Sequence, residues 1–153
     1  GAEYKGKKVG GIAEIECFSF QGSKMMATGE GGIFVTDSDR HYERASMLVE
    51  DGRMPGTFVI KEIGFHYRMA NLLASLGLAQ LERIGELIEA KRKQFDLYYE
   101  KLGRVPGIKM FKEKKGCKSN CSYPSILLEK GLSVSRDELI SELRKILLSN
   151  WHH

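Results

Sequence analysis

Two short apolar segments enclose a loop of small residues, and this arrangement constrains the fold more than any other feature. Residues 15–20 and 33–36 are rich in β-branched and aromatic side chains, which is typical of short buried strands. The loop between them begins Gln21-Gly22-Ser23-Lys24 and ends in a glycine-rich run at residues 28–32. The pattern predicts a strand, a tight loop and a second strand, with Lys24 just past the end of the first strand.

The rest of the chain alternates helical and strand patterns, which predicts an α/β fold. Short strands are predicted at residues 108–111 and 123–128. The predicted helices are one capped by Ser38 or Asp37, one capped by Asn71, a long charged one over residues 87–102, and a last one that opens with Ser135-Arg136-Asp137-Glu138. The serine and glutamate of that last tetrapeptide form the signature of a capping box.

The helix predicted after Asn71 carries an apolar stripe whose purpose the sequence leaves open. Leucine and alanine recur at intervals of three and four residues, so they share one helix face. Packing in a core is one interpretation, and a subunit interface is the other. Gly77 lies in the middle of this helix, at a cost of up to about 1 kcal/mol against alanine, and such a glycine often allows another backbone to approach. The stripe consists of Leu72, Leu73, Leu76 and Ala79.

Lys24 is the residue around which chemistry can be argued. A lysine acts as a nucleophile only when its amine is neutral and held near an electrophile. The glycines expose backbone N–H groups that suit a phosphate, and the Ser19 hydroxyl lies five residues earlier. Lysine, hydroxyl and amides together are what a pyridoxal phosphate site needs. From the residues alone, an ordinary surface lysine remains open, and the loop does not match the G-x-x-x-x-G-K-[ST] motif of nucleotide-binding P-loops.

Three spaced blocks resemble the DegT/DnrJ/EryC1/StrS family of sugar aminotransferases. Residues 17–32, CFSFQGSKMMATGEGG, are similar to the family signature S-F-x-x-x-K-x-x-x-T-G-E-G-G. Residues 64–71 and 76–82 are similar to the family block G-Y-N-Y-R-M-x-N followed by A-L-G-L-A-Q-L-E, and residues 1–10 resemble the stretch before the signature. The similarity covers residues 1–143 and is closest to the perosamine-synthase-like branch.

This resemblance implies a partial fold-type-I, pyridoxal-phosphate-dependent transferase. Residues 1–85 would be the C-terminal part of the large, cofactor-binding domain. Residues 86–153 would form a linking helix and an incomplete α+β small domain. The activity implied is transfer of an amino group, with glutamate as the usual donor, to a nucleotide-linked keto sugar, by a homodimer.

The same resemblance implies roles for three residues. Lys24 would hold pyridoxal 5'-phosphate as a Schiff base and shuttle protons. Ser19 would bind the cofactor phosphate. His66 would reach the phosphate of the partner subunit's site, although the family has Asn where this chain has His66. A neutral imidazole donates one hydrogen bond, so the substitution still permits phosphate binding.

Members of the family are about twice as long as these 153 residues or longer. The resemblance places the aromatic residue that stacks on the cofactor and the Asp that pairs with its pyridine nitrogen outside the chain. We therefore expect these residues by themselves to be inactive. One alternative is a non-enzymatic remnant of such an enzyme that only dimerises or binds a partner, and another is a small phosphate-binding domain without covalent chemistry.

Composition excludes several other classes. The net charge is +4, with basic residues scattered among acidic ones, which argues against a nucleic-acid-binding surface. No apolar run approaches the ~20 residues of a membrane span.

Cys117 and Cys121 have no second ligand pair, and the four histidines form no H-x3-5-H pair, so no metal site is predicted. Three cysteines suggest no disulfide framework, so we expect a reducing, cytoplasmic setting. The origin of the terminal Trp151-His152-His153 stays open.

Overall fold

The computed structural model describes residues 1–149, and they form a mixed α/β structure, as predicted. The strands are β1 (Glu3–Tyr4), β2 (Lys7–Lys8), β3 (Glu16–Ser19), β4 (Gly32–Val35), β5 (Ile108–Met110), β6 (Cys117–Lys118) and β7 (Ile126–Leu128). The helices are α1 (Asp39–Val49), α2 (Asn71–Glu82), α3 (Ile84–Leu102) and α4 (Arg136–Ser149). The terminal residues 151–153 lie outside the described range.

The chain divides into two compact units. The first unit contains residues Gly1–Lys91 and Glu113–Ser122, and the second contains Arg92–Lys112 and the chain from Tyr123 onward. The first unit holds the sheets β2-β1-β6 and β3-β4, and the second holds β5-β7. The domain boundary predicted after residue 85 stays a prediction.

The predicted strand–loop–strand is an antiparallel hairpin in the first unit. β3 pairs with β4, with Phe18 opposite Ile33 and Ser19 opposite Gly32. The expected burial of these strands is wrong, because Phe18 is 37% exposed and Ile33 is 47% exposed. A pair of strands has two faces and two edges, and further strands or a packed layer are needed to bury them.

Little of the described chain is buried. Apart from glycines, the buried residues among positions 1–147 are Thr28, Met110 and Cys121. Thr28 is the polar member of this set and is 2% exposed. Because it follows the lysine loop, the burial of Thr28 marks the point where that loop meets the body of the first unit.

The two helices that flank the site begin in different ways. Ser38 caps α1 as predicted, and its hydroxyl accepts a hydrogen bond from the N–H of His41 at 3.5 Å. The prediction that Asn71 caps α2 is wrong, because Ala70 occupies the cap position with extended backbone angles and Asn71 is already helical. α2 therefore begins one residue earlier than predicted, without a side-chain cap.

The second unit contains a short antiparallel pair and the last helix. β5 pairs with β7, with Ile108 opposite Leu128. The predicted capping box opens α4: the Glu138 N–H donates to the Ser135 hydroxyl at 3.2 Å, and the Ser135 N–H donates to the Glu138 carboxylate at 2.8 Å. Within residues 1–149 no helix combines the length and the hydropathy needed to cross a membrane.

Candidate functional site

The loop that carries Lys24 is closed at its base by Phe20. The Phe20 N–H donates to the carbonyl of Gly31, and the Phe20 carbonyl accepts from the N–H of Thr28, both at 2.9 Å. These two bonds join the residue after β3 to the end of the glycine-rich run. Lys24 lies on the exposed part of the loop that they enclose.

Gln21 shapes the first half of this loop. Its carbonyl accepts from the Lys24 N–H at 2.9 Å, and its side-chain oxygen accepts from the backbone N–H of Ser23 at 2.9 Å. The Ser19 hydroxyl, at the end of β3, accepts from the Gln21 N–H at 3.3 Å. Ser19, the last residue of β3, and Lys24, in the exposed loop that follows it, therefore lie at the same end of the hairpin.

Glu16 fixes the chain that enters this hairpin. Its carboxylate accepts from the N–H of Ala13 at 2.7 Å and from that of Ile12 at 2.9 Å. The Ala13 N–H, followed by the Ile12 N–H, holds the pKa of the Glu16 carboxyl below its ordinary value. The ionised carboxylate thus organises the turn that leads into β3.

The second half of the loop lies against the segment that leads into α2. Gly31 has a φ of +106°, and a Cβ added there would lie 2.5 Å from the Cε of Met69. The Met69 Cε is the end of a flexible side chain and can move aside, so the positive φ is what favours glycine at this position. Gly31 therefore permits the backbone conformation with which the loop rejoins β4.

Two residues of α2 attach this half of the loop to the helix. The side-chain amide of Gln80 accepts from the N–H of Ala27 at 3.0 Å and donates to the carbonyl of Ala27 at 2.7 Å. Gly77, one turn earlier, faces Thr28, whose methyl carbon would lie 3.1 Å from an added Cβ. The loop is thus held by α2 at Ala27 and Thr28, three and four residues after the lysine.

His66 lies on a separate segment of the first unit. It pairs with Glu50 in an antiparallel bridge, and its Nδ1 lies 3.5 Å from a carboxylate oxygen of Asp51. The His66 side chain is 79% exposed. Whereas Ser19 and Lys24 share the hairpin, His66 belongs to the irregular chain between α1 and α2.

An open groove lies beside His66 in the first unit. Its volume is about 1310 Å³, and neither Ser19 nor Lys24 lines it. Four arginines line it, and three of them lie beside carboxylates: Arg68, for example, lies 2.8 Å from Glu50. The groove does not coincide with the hairpin end that carries Ser19 and Lys24, the two residues predicted to bind the cofactor.

Metal-binding groups do not cluster in the described part of the chain. Among residues 1–149 there is no group of three or more His, Cys, Asp or Glu side chains that could hold a metal ion. Cys17, Cys117 and Cys121 are all free thiols.

Comparison with known proteins relates this hairpin to a family. The model of the DegT/DnrJ/EryC1/StrS aminotransferase family matches residues 1–149. This chain belongs to that family. The match includes the hairpin, α2 and the whole described part of the second unit, so the resemblance recognised in the sequence is confirmed.

Two curated members of the family illustrate the relationship. GDP-perosamine synthase of Vibrio cholerae is 35% identical over 144 residues, which are 94% of this chain and 39% of the relative. UDP-4-amino-4,6-dideoxy-N-acetyl-beta-L-altrosamine transaminase of Helicobacter pylori is 30% identical over 161 residues, covering 100% of this chain and 42% of the relative. The chain thus spans about two fifths of the length of these DegT-family relatives.

A solved structure supports the same fold. The Streptococcus pneumoniae protein Spr1654, named as a sugar aminotransferase and solved in a PLP form, is 28% identical with a TM-score of 0.83. The superposition covers 95% of this chain and 39% of that one. The fold of this DegT-family chain therefore matches a part of a sugar aminotransferase, as the partial α/β prediction required.

Sequence reasoning singled out Ser19, Lys24 and His66 but gave Gln80 no role. The signal was present only as the glutamine of the A-Q-L-E block on α2. A polar side chain at the edge of an apolar helix stripe needs a partner when it packs inward. Its partner, Ala27, lies 53 residues earlier, so local pattern could not identify it.

Proposed function

We propose that this chain is part of a pyridoxal-phosphate-dependent aminotransferase in which Lys24 bonds the cofactor. The observation that supports the proposal most is that Ser19, at the end of β3, and Lys24, in the exposed loop that follows, lie at the same end of the hairpin. Backbone hydrogen bonds to Phe20 close that loop at its base. In a DegT-family chain, this is the element that matches the cofactor signature.

Ser19 and Lys24 fit the phosphate end and the aldehyde end of the cofactor, respectively. The Ser19 hydroxyl accepts a hydrogen bond from Gln21 and retains its own hydrogen to donate to a phosphate oxygen. A Cβ added at Gly22 or Gly29 would meet nothing within 4 Å, so the loop has open space on its surface. Lys24 would hold the cofactor through its amine, and Ser19 would hold the phosphate. When bound, the pyridine ring supplies the electron sink for amino-group transfer.

The proposed substrate is a nucleotide-linked keto sugar, with an amino acid such as glutamate as the amino donor. The names of the two curated relatives, a GDP-sugar synthase and a UDP-sugar transaminase, support this substrate class. Lys24 would take up and return a proton at the reacting carbon in each half-reaction, because an amine next to the reacting centre can act as general acid and base.

A homodimer is the proposed assembly, and exposed apolar side chains support it. Phe58 is 90% exposed, Ile63 87% and Leu72 81%, all in the chain between α1 and the first turn of α2. Full burial of one such side chain stabilises an interface by about 1.5–3 kcal/mol. We infer that a second copy covers this region and that His66, which lies within it, serves the partner's phosphate site.

The dimer is tested by measuring the molar mass in solution. Leu72→Glu should weaken self-association, because the charged group would have to lose its water in the interface. Leu97→Glu is the matched control, since Leu97 lies in α3 and is 51% exposed. Equal effects of the two variants, or a wild-type chain that stays monomeric at every concentration, would refute the assignment of this surface.

The cofactor role is tested by trapping. The full chain is incubated with pyridoxal phosphate, reduced with borohydride and digested, and the label at each lysine is measured by mass spectrometry. We expect selective labelling of Lys24 and loss of that label in Lys24→Ala. Lys109→Ala is the matched control, because Lys109 is an exposed lysine on β5. A label spread evenly over the lysines would sink the proposal.

A second candidate function is a non-enzymatic dimerisation module, and the exposed leucines of α2 favour it. The two candidates differ in their response to the cofactor. Selective labelling of Lys24 supports the aminotransferase, whereas self-association without selective labelling supports the module. We expect the 153 residues alone to give no turnover of a sugar-nucleotide substrate even when Lys24 is labelled, and steady turnover would contradict that expectation.

The proposed setting is the reducing cytoplasm. The three free thiols support it, since oxidising compartments favour paired cysteines.

A further inference from the structure

Gln80 forms the direct side-chain link described between α2 and the lysine loop. Its Oε1 accepts from the Ala27 N–H at 3.0 Å and its Nε2 donates to the Ala27 carbonyl at 2.7 Å. The two bonds copy the pairing that a neighbouring strand would give. The Nε2 group also donates to the carbonyl of Leu76 at 3.1 Å, which holds the glutamine side chain along its own helix.

The residue after Ala27 shows that this link lies at an anchored point of the loop. Thr28 is 2% exposed, its N–H donates to Phe20, and its hydroxyl donates to the carbonyl of Glu30. On the other side of the lysine, the turn at residues 21–24 is exposed and is shaped by bonds within the turn itself. The loop therefore has an anchored end at Ala27 and Thr28, and an exposed end that carries Lys24.

We propose that Gln80 is the positioning residue that holds the Lys24 amine in its reactive place. This inference rests on the proposed function of Lys24. Two residues, Met25 and Met26, lie between Lys24 and Ala27, so a shift of the Ala27 backbone is passed on to the lysine with little slack. Reaction rates fall steeply when a reacting group is displaced by about 1 Å, and a loop held at one end opens more often than a loop held at both.

Two variants remove either both hydrogen bonds between Gln80 and Ala27 or only one of them. Gln80→Met keeps a side chain of similar length and removes both bonds. Gln80→Glu keeps an acceptor for the Ala27 N–H but offers no donor to the Ala27 carbonyl when ionised. Gln94→Met in α3 is the matched control, because Gln94 is an exposed glutamine in a helix remote in sequence from the loop.

Two measurements on the full chain test the inference. The first is amide hydrogen exchange of residues 22–28 without cofactor. The second is the ratio of the label at Lys24 to the label at Lys109 after brief exposure to pyridoxal phosphate and reduction by borohydride. In Gln80→Met we expect exchange of the loop to rise about tenfold and the labelling ratio to fall about tenfold. A tenfold change corresponds to about 1.4 kcal/mol, which is within the range expected for the loss of both bonds together. Gln94→Met should change neither.

The outcomes separate this inference from the function on which it rests. If Lys24 in the wild-type chain is labelled no more than Lys109, the proposed function fails. If Lys24 is labelled selectively and Gln80→Met behaves as wild type in both measurements, the positioning role is overturned. If Gln80→Met loses its helical circular dichroism, Gln80→Glu decides, and a wild-type labelling ratio in that variant overturns the role.

Discussion

Replacement of Gly77 by alanine tests the contact between α2 and the lysine loop. The added Cβ would lie 3.1 Å from the methyl carbon of Thr28, a few tenths of an ångström inside ordinary contact. Thr28 has little room to move away, because it is 2% exposed and its N–H is bonded to the carbonyl of Phe20. Its hydroxyl is bonded to the carbonyl of Glu30, which opposes rotation of the side chain.

Two opposing free energies decide the result. Alanine in place of a helical glycine stabilises by about 0.4–1 kcal/mol, chiefly because the unfolded chain loses conformational freedom. An extra carbon in a tightly packed place costs about 1–3 kcal/mol. Because Thr28 is bonded at both its N–H and its hydroxyl, we expect the packing cost to win. Gly77→Ala should lower the free energy of unfolding by about 1 kcal/mol, measured by urea denaturation.

Two further variants isolate the contact. Gly85→Ala in α3 is the matched control, because a Cβ there would meet nothing within 4 Å, and it should stabilise by about 0.4–1 kcal/mol. Thr28→Ser removes the methyl carbon and keeps the hydroxyl, so Gly77→Ala should no longer destabilise in that background. Two results would contradict this reasoning: Gly77→Ala stabilises as much as Gly85→Ala, or Gly77→Ala still destabilises in the Thr28→Ser background. Either result would mean that the Thr28 methyl carbon does not restrict the side chain at position 77.

Three other predictions concern single side chains. Ser19→Ala should weaken pyridoxal phosphate binding about tenfold, because a hydrogen bond to a charged phosphate is lost; an unchanged titration curve would assign the phosphate elsewhere. His66→Asn should retain the wild-type affinity while His66→Ala weakens it about threefold to tenfold, and equal affinities of the alanine variant and wild type would exclude His66. The backbone N–H of Ser135, then its hydroxyl, holds the pKa of Glu138 below its ordinary 4.5. Its contribution to the stability of α4 should therefore be present above pH ~4.5 and be lost as the pH falls through the lowered pKa, and α4 amide exchange in Glu138→Gln should lack this dependence.

Features set by neighbouring residues were predictable. The hairpin was predicted from the strand-like composition of the two segments on either side of the loop, because each strand and the loop are continuous in sequence. The capping box at Ser135 and Glu138 followed for the same reason, because both hydrogen bonds join residues three apart. Local chemistry was therefore sufficient for the turn that joins Ser19 to Lys24.

Features set by distant contacts were not predictable in the same way. The N-cap of α2 is Ala70 rather than the predicted Asn71, because Ala70 has the extended backbone of a cap and Asn71 is already helical. The bond between Gln80 and Ala27 joins residues 53 apart, and no periodicity encodes it. Strand composition suggested burial of Phe18 and Ile33, but burial depends on what packs against a strand rather than on the strand itself.

The exposure of Lys24 and the exposure of α2 are linked through the lysine loop. A lysine amine reacts as a nucleophile in its neutral form, and removal of water favours that form. Lys24 is exposed, while the loop that carries it is bonded to α2, whose Leu72 and Leu78 are 81% and 58% exposed. We expect the protein surface that covers α2 to exclude water from the adjoining loop as well. Leu72→Glu should then lower the labelling of Lys24 in step with self-association, and selective labelling that persists in a monomeric variant would separate the chemistry from the assembly.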